Sequence, residues 1–357
     1  MFLIVLLGKY SRQSLINGTI MTFVKPILAT LALVACALPA AASELNLYSA
    51  RHYDTDERLY SDFTQATGIT INRIEGKADE LMARMKAEGA NSPADVLLTV
   101  DTSRLARAKD LGLFQSVDSP VLEARVPGYL QDEDNQWFGL SQRARIIFFS
   151  KERVAEPPQT YADLADPKYQ RQICIRSSSN TYNQTLLASI VTHQGEDVAR
   201  AWAKGVVANM ARSPQGGDTD QLRGIVSGEC DISVSNTYYF ARSIRKDVSG
   251  VSAERDQIGW VFPDQGGNGA HMNLSGGGVA LHAPNRDNAI KFLEYLASDQ
   301  AQQYFSAGND EYPAVPGVAL SPAVAELGFF KPDDVNLTDV AQNIPTAQKI
   351  FDQVGWE

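Results

Sequence analysis

Strand and helix signals take turns along residues 44–112, and that alternation narrows the fold more than any single motif. "ELNLYSA" sets Leu45 and Leu47 at period two, a strand ending at "RHYDTD". Asp54 or Thr55 then caps a helix on which Leu59, Phe63 and Ala66 share a face, and Gly68 stops it. "ITINRIEG" is a second strand. "ADELMARMKAEG" is a helix closed by Gly89, and "ADVLLTV" is a short apolar strand of the kind parallel sheets bury. "SRLARAKDLG" adds a helix with Gly112 as its C-terminal signal. This β-α-β-α-β succession predicts a doubly wound sheet.

The pattern then changes. "QWFGLSQRARIIFFSKERV" is strand-rich, with Arg143 and Arg145 two apart and so on one face. A Pro-rich connection, "PPQTYADLADPKYQ", leads into a second alternating series. It comprises the strand "QICIRSS", helices over "YNQTLLASIVTHQ", "EDVARAWAKGVVANM" and "TDQLRGIVSG", and the strand "ECDISVS" ahead of "NTYYF". "IGWVFPDQ" and "NLSGGGVALH" are strands around a Gly-rich turn, and helices close the chain. Two α/β halves joined by extended segments make a cleft, the usual place for a ligand.

The N-terminal segment is an address rather than a fold element. From Met21, the expected true start, Lys25 precedes an apolar run from Ile27 to Leu38 that is too short to span a bilayer comfortably. Ala40 and Ala42 satisfy the A-x-A rule, so residues 1–42 read as a signal peptide cleaved near Ser43. "LVAC" ending in Cys36 also fits a lipoprotein cleavage box; the cleaner A-x-A site is preferred. Two cysteines remain in the exported chain, Cys174 and Cys230, and in an oxidising compartment an even pair reads as a disulfide. About 315 residues remain, too many for one ordinary core and suited to two lobes. The net charge of −10 disfavours nucleic acid or an anionic membrane surface as a partner.

The chain has no HExxH, CxxC, Walker loop or G-x-S-x-G. "SGGG" at 275–278 and "PQGGD" at 214–218 are off the phosphate-binding patterns and read as turns or close backbone packing. His193, His271 and His282 lack ligand spacing and read as structural or surface residues. The phenols are better placed. Tyr53, Tyr182, Tyr238 and Tyr239 all fall at the carboxyl ends of predicted strands, where α/β proteins bind ligands, although a tyrosine taken singly is more often an interface or half-buried aromatic than a ligand.

"NLYSARHYDTD", "RSSSNTYNQ", "PQGGDTDQ", "SNTYYFAR" and "NLSGGGVALHAPNRDNAIKFLEYLAS" together resemble the ferric-iron-binding periplasmic proteins of ABC importers, in the branch shared with cyanobacteria and marine bacteria. The likeness covers essentially the whole mature chain. It implies a type II two-lobed periplasmic binding protein. Each lobe would be a mixed, mainly parallel sheet flanked by helices, and two extended hinge crossings would join the lobes. Residues 43–141 with 269–318 would form one lobe, and 142–268 with 319–357 the other. It further implies a monomeric, non-enzymatic carrier of Fe(III) that meets an inner-membrane permease and no nucleic acid. By motif, Tyr53 from one lobe and Tyr182, Tyr238 and Tyr239 from the other would ligate iron, and His52 matches a histidine that some relatives place at or near the metal. Arg143, and by a looser match Arg242, would balance the phenolates.

Physical chemistry supports that pairing of ligand and cargo. Fe(III) is a hard acid that favours anionic oxygen. Ionising one phenol at pH 7 costs roughly 4 kcal/mol, so four cost on the order of 16 kcal/mol, which only a strongly binding cation can offset. Two alternatives stay open on the residues alone. One is the same fold holding a polyamine or an organic anion between aromatic walls. The other is a phenolate-iron dioxygenase, which would need paired histidines where only His52 lies near the cluster.

Overall fold

The computed structural model describes residues 43–51 and 53–357. The leader, with its start, its cleavage site and Cys36, lies outside the described residues, and so does His52. In chain order the strands are β1 (Glu44–Ser49), β2 (Thr70–Glu75), β3 (Val96–Thr99), β4 (Phe138–Ser150), β5 (Ile173–Cys174), β6 (Ile232–Asn236), β7 (Ile258–Val261), β8 (Met272–Val279) and β9 (Tyr312–Pro313). The helices before β4 are α1 (Glu57–Thr67), α2 (Ala78–Glu88), α3 (Thr102–Asp110) and α4 (Pro120–Arg125). Between β5 and β7 come α5 (Thr181–Gln194), α6 (Glu196–Asn209), α7 (Asp218–Ser227) and α8 (Thr237–Arg245). After β8 come α9 (Arg286–Leu296), α10 (Asp299–Asn309), α11 (Pro322–Leu327), α12 (Leu337–Gln342) and α13 (Ile344–Val354).

The strands run in the order β2-β1-β3-β8-β4-β6-β5, with β7 and β9 also paired to β4. The sheet is mixed. Among the named strands, parallel pairing joins β1 with β2 and β3, and β5 with β6. Every partner of β4 runs antiparallel to it, as does β8 to β3. β4 is long: its first half pairs with β8 and its second half with β6 and β7, so one uninterrupted strand carries the chain from one half of the sheet to the other.

The buried apolar side chains divide along β4. Phe138 and Leu140 pack with Leu45, Phe63, Leu98, Phe292 and Phe305. From Ala144 onward the strand faces two other clusters, one around Ile173, Leu187, Trp202 and Phe351, the other around Phe240, Met272 and Val324. Helix α12 touches both sides, since Leu337 joins the first cluster and Val340, one turn on, joins the second.

Local chemistry explains several boundaries. Gly68 ends α1 with φ 72, the left-handed conformation that glycine adopts without steric penalty. Gly276, Gly277 and Gly278 lie in mid-strand rather than in a turn. A Cβ on Gly278 would come 2.2 Å from the Gln136 carbonyl oxygen, and one on Gly277 would come 2.4 Å from Leu98 Cδ2. Close backbone packing, not a bend, therefore accounts for the glycine run. The stretch "QICIRSS" forms a strand only over Ile173–Cys174. Cys174 is disulfide-bonded to Cys230, just ahead of the parallel partner β6. His193 pairs with Asp333 at 2.9 Å and His271 is buried against Thr185, while His282 is exposed. No helix among the described residues is long and apolar enough to cross a membrane.

Candidate metal centre

Three phenols sit on the first turns of two helices. Tyr182 is the second residue of α5, and Tyr238 and Tyr239 are the second and third of α8, which begins where β6 ends. A helix's first turn exposes unpaired N–H groups and the positive end of its dipole, which favours a negative phenolate over a neutral phenol. Neither Asn180 nor Asn236, the residues ahead of α5 and α8, spends its side chain on capping those amides. The two helices bring Tyr182 Oη and Tyr238 Oη within 3.4 Å. The rings of Tyr238 and Tyr239 lie against each other, centroids 4.1 Å apart and tilted by 31°. Consecutive residues at a helix start can thus aim both rings to one side, which neighbours on a strand cannot do. Tyr53 arrives separately, in extended backbone ahead of the short turn Asp54–Asp56 that follows β1.

Guanidinium groups surround these rings. Arg51 lies 5.0 Å from the Tyr53 ring centre. Arg143 lies 5.8 Å from Tyr182 and 5.9 Å from Tyr238, and Arg145 and Arg176 approach Tyr182 at 5.8 and 5.7 Å. Arg242 covers Tyr238 and Tyr239 at 5.4 and 5.8 Å. Arg143 and Arg145, each only 1% exposed, survive burial because each meets a carboxylate, Glu311 at 3.0 Å and Asp218 at 3.0 Å. They are neither solvated nor merely decorative on their strand face. Arg176 also reaches Asp218 at 3.6 Å, and Arg242 reaches Asp310 at 3.7 Å. The Nε groups of Arg143, Arg145 and Arg176 are buried with no hydrogen-bond acceptor, so the shell around Tyr182 holds unused donors.

The phenols hold their protons in the absence of a cation. Burial is the chief cause for all four, raising each above the ordinary tyrosine value. Glu311 adds to the rise at Tyr53, while Arg143 and Arg51 oppose it. Tyr238 is pushed up furthest, by burial and then by Tyr182, Tyr239 and Tyr53. Once ionised, one phenolate would raise its neighbours' values, as Tyr182 does for Tyr53 and Tyr239 does for Tyr182. A strongly charged cation among them would reverse the balance, and the arginines would take up the resulting negative charge. Among the described residues no three His, Cys, Asp or Glu side chains gather as an alternative metal cluster.

Arg143 and Arg242, singled out in the sequence, both lie against the phenols. The sequence reading missed Arg51, Arg176, Asp218, Asp310 and Glu311. Except for Arg51 with Asp56, their charged partners are remote along the chain. A cavity of about 490 Å³ lies beside the start of α5, lined in part by Ser103, Arg104, Thr181, Gln184 and Thr338. Another, of about 300 Å³, lies among Leu186, Ile190, Trp202 and Asp333, and none of the four phenols lines either cavity.

This fold is that of a solute-binding protein. Residues 91–331 match the model of the bacterial extracellular solute-binding protein family, and the chain belongs to that family. Among curated relatives it is 50% identical over 320 residues to Iron uptake protein A1 of Synechocystis sp., covering 89% of each chain. It is 28% identical to the Major ferric iron-binding protein of Neisseria meningitidis, over 91% of this chain and 97% of that one. Among solved structures it resembles Trichodesmium IdiA (FutA) in complex with iron and citrate ligands, with a TM-score of 0.85 and 48% identity over 88% of this chain and all of that one. Apo FutA2 from Synechocystis aligns with a TM-score of 0.84 and 43% identity, over 89% of this chain and all of that one.

Proposed function

We propose that this chain captures Fe(III) outside the inner membrane and delivers it to the permease of an ABC importer, with Tyr53, Tyr182, Tyr238 and Tyr239 as phenolate ligands. The observation that carries this reading is the convergence of Tyr182 and Tyr238 at 3.4 Å, with the Tyr239 ring tilted against Tyr238 and arginines beside all three. Relatives named for iron uptake and ferric iron binding support the choice of cargo. Four phenolates leave a trivalent ion with one excess negative charge, which Arg143 and Arg242 offset and orient. His52, next to Tyr53 in the chain, is a further ligand candidate.

In this reading residues 43–141 with 269–318 form one lobe and 142–268 with 319–357 the other. Tyr53 then belongs to the first lobe and the other phenols to the second, so iron favours the closed arrangement and the permease reads that shape. The carrier acts as a monomer, freed into the periplasm by cleavage near Ser43 rather than anchored at Cys36. It meets no nucleic acid.

Titration of the purified protein with Fe(III) should develop a phenolate-to-metal charge-transfer colour at one ion per chain. Changing Tyr238 and Tyr239 to Phe together should abolish it. A double variant that keeps both colour and affinity would overturn the reading. A colourless protein stabilised by a polyamine or an organic anion would point to that cargo class instead, and turnover of catechol would point to a dioxygenase.

A further inference from the structure

Glu311 lies between α10 and β9, is 1% exposed, and reaches the guanidiniums of both Arg51 and Arg143. Its Oε1 accepts a hydrogen bond from Arg143 Nη1 at 3.0 Å, and its Oε2 accepts one from Ser141 Oγ at 2.6 Å. Oε2 also lies 3.5 Å from Arg51 Nη1, close enough for an ion pair though not aligned as a hydrogen bond. The two guanidiniums serve different phenols, Arg51 facing Tyr53 and Arg143 facing Tyr182 and Tyr238. Arg51 has a second carboxylate, Asp56, at 2.7 Å. Arg143 has no carboxylate but Glu311 among the described residues. Its other partners are the Ser275 hydroxyl and the carbonyl oxygens of Leu274 and Val100.

A guanidinium buried this deeply needs an anion. While the phenols are neutral, Glu311 supplies it. When iron ionises the phenols, the same guanidiniums acquire new anions, and the carboxylate becomes surplus negative charge beside a negative cluster. We propose that Glu311 is a resident counter-ion that competes with the phenolates for Arg143 and Arg51, stabilising the iron-free protein and keeping the loaded one releasable. This positioning role rests on the reading of the site given above.

The test uses Glu311→Gln in the full mature chain. The iron-free variant should melt at lower temperature than wild type, and the rise in melting temperature on adding Fe(III) should be larger. Transfer of iron to a competing chelator should slow by roughly tenfold, the scale of a unit charge acting across a buried site. Glu311→Asp, which keeps the charge, should stay close to wild type. A folded Glu311→Gln protein with an unchanged iron-induced rise, or with equal or faster transfer, would overturn the inference. Should Glu311→Gln not fold, Arg51→Gln with Glu311→Gln makes the comparison against Arg51→Gln alone, where the pair should release iron more slowly and an equal rate counts against the inference. A wild-type protein that takes up no iron with a phenolate colour refutes the site reading and this inference together; a coloured wild type with an indifferent Glu311→Gln refutes this inference alone.

Discussion

Replacing Asp218 by Asn tests how the phenol-bearing helices are held together. Asp218 is fully buried at the start of α7. Its carboxylate accepts from Arg145 Nη1 at 3.0 Å and from the backbone N–H of Asn236, the residue ahead of α8, at 3.0 Å. Arg145 in turn donates to Asn183 of α5 at 2.8 Å and to Asn236 Oδ1 at 3.2 Å. One ion pair therefore ties the first turn of α5 to that of α8, and with them Tyr182 to Tyr238 and Tyr239. Asn keeps the shape and an acceptor but leaves Arg145 buried without its counter-charge, a change that costs about 3–5 kcal/mol. For a chain of this size that corresponds to a drop in melting temperature of roughly 5–8 °C. A differential scanning calorimetry trace of the iron-free protein reads this directly. Adding Arg145→Met should recover much of the loss, because removing both charges no longer strands one. A variant melting within about 2 °C of wild type, or a double variant whose losses simply add, would refute the reasoning.

Three further outcomes follow from the same geometry. Because burial raises all four phenols, each that ligates iron must shed a proton at neutral pH, so affinity should weaken as pH falls, by up to about tenfold per pH unit for each phenolate. Chelator competition between pH 8 and pH 6, corrected for the chelator's own protonation, checks this, and a flat profile contradicts it. Burial depresses His271 from 6.5 to about 4 among Asp333, Arg145, Asp101 and His193. Its contribution of about 3 kcal/mol is therefore present above pH 6.5 and is lost as pH falls toward 4, so His271→Gln should flatten that part of the urea-denaturation pH profile. Replacing Cys174 and Cys230 by Ser opens a link across 56 residues and should cost about 4 kcal/mol in the chain-entropy model, read as a lower urea midpoint that reductant no longer shifts.

Much of the fold was legible because its signals are local. Gly68 and Gly89 end helices where the periodicity stops, and the apolar run Val96–Thr99 is buried on both faces. The phenols were legible for a related reason, since the helix that opens at Tyr182 and the strand that precedes Tyr238 both carry local signals, although α8 itself went unread. What escaped is what depends on distant segments. The glycines at 276–278 suit either a turn or close backbone packing, and only the contacts with Gln136 and Leu98 decide between them. "QICIRSS" has strand composition, but only two of its residues find a partner in β6. The charges around the site pair across long stretches of chain, Glu311 with Arg143 and Asp218 with Arg145, and no window of neighbouring residues contains both members.

Crystals of the iron-loaded protein, with anomalous scattering recorded at the iron absorption edge, test the central claim most directly. One peak within bonding distance of the hydroxyl oxygens of Tyr53, Tyr182, Tyr238 and Tyr239, with Arg143 beside them, is the predicted result. An ion bound elsewhere, or these rings turned away from it, would contradict the account.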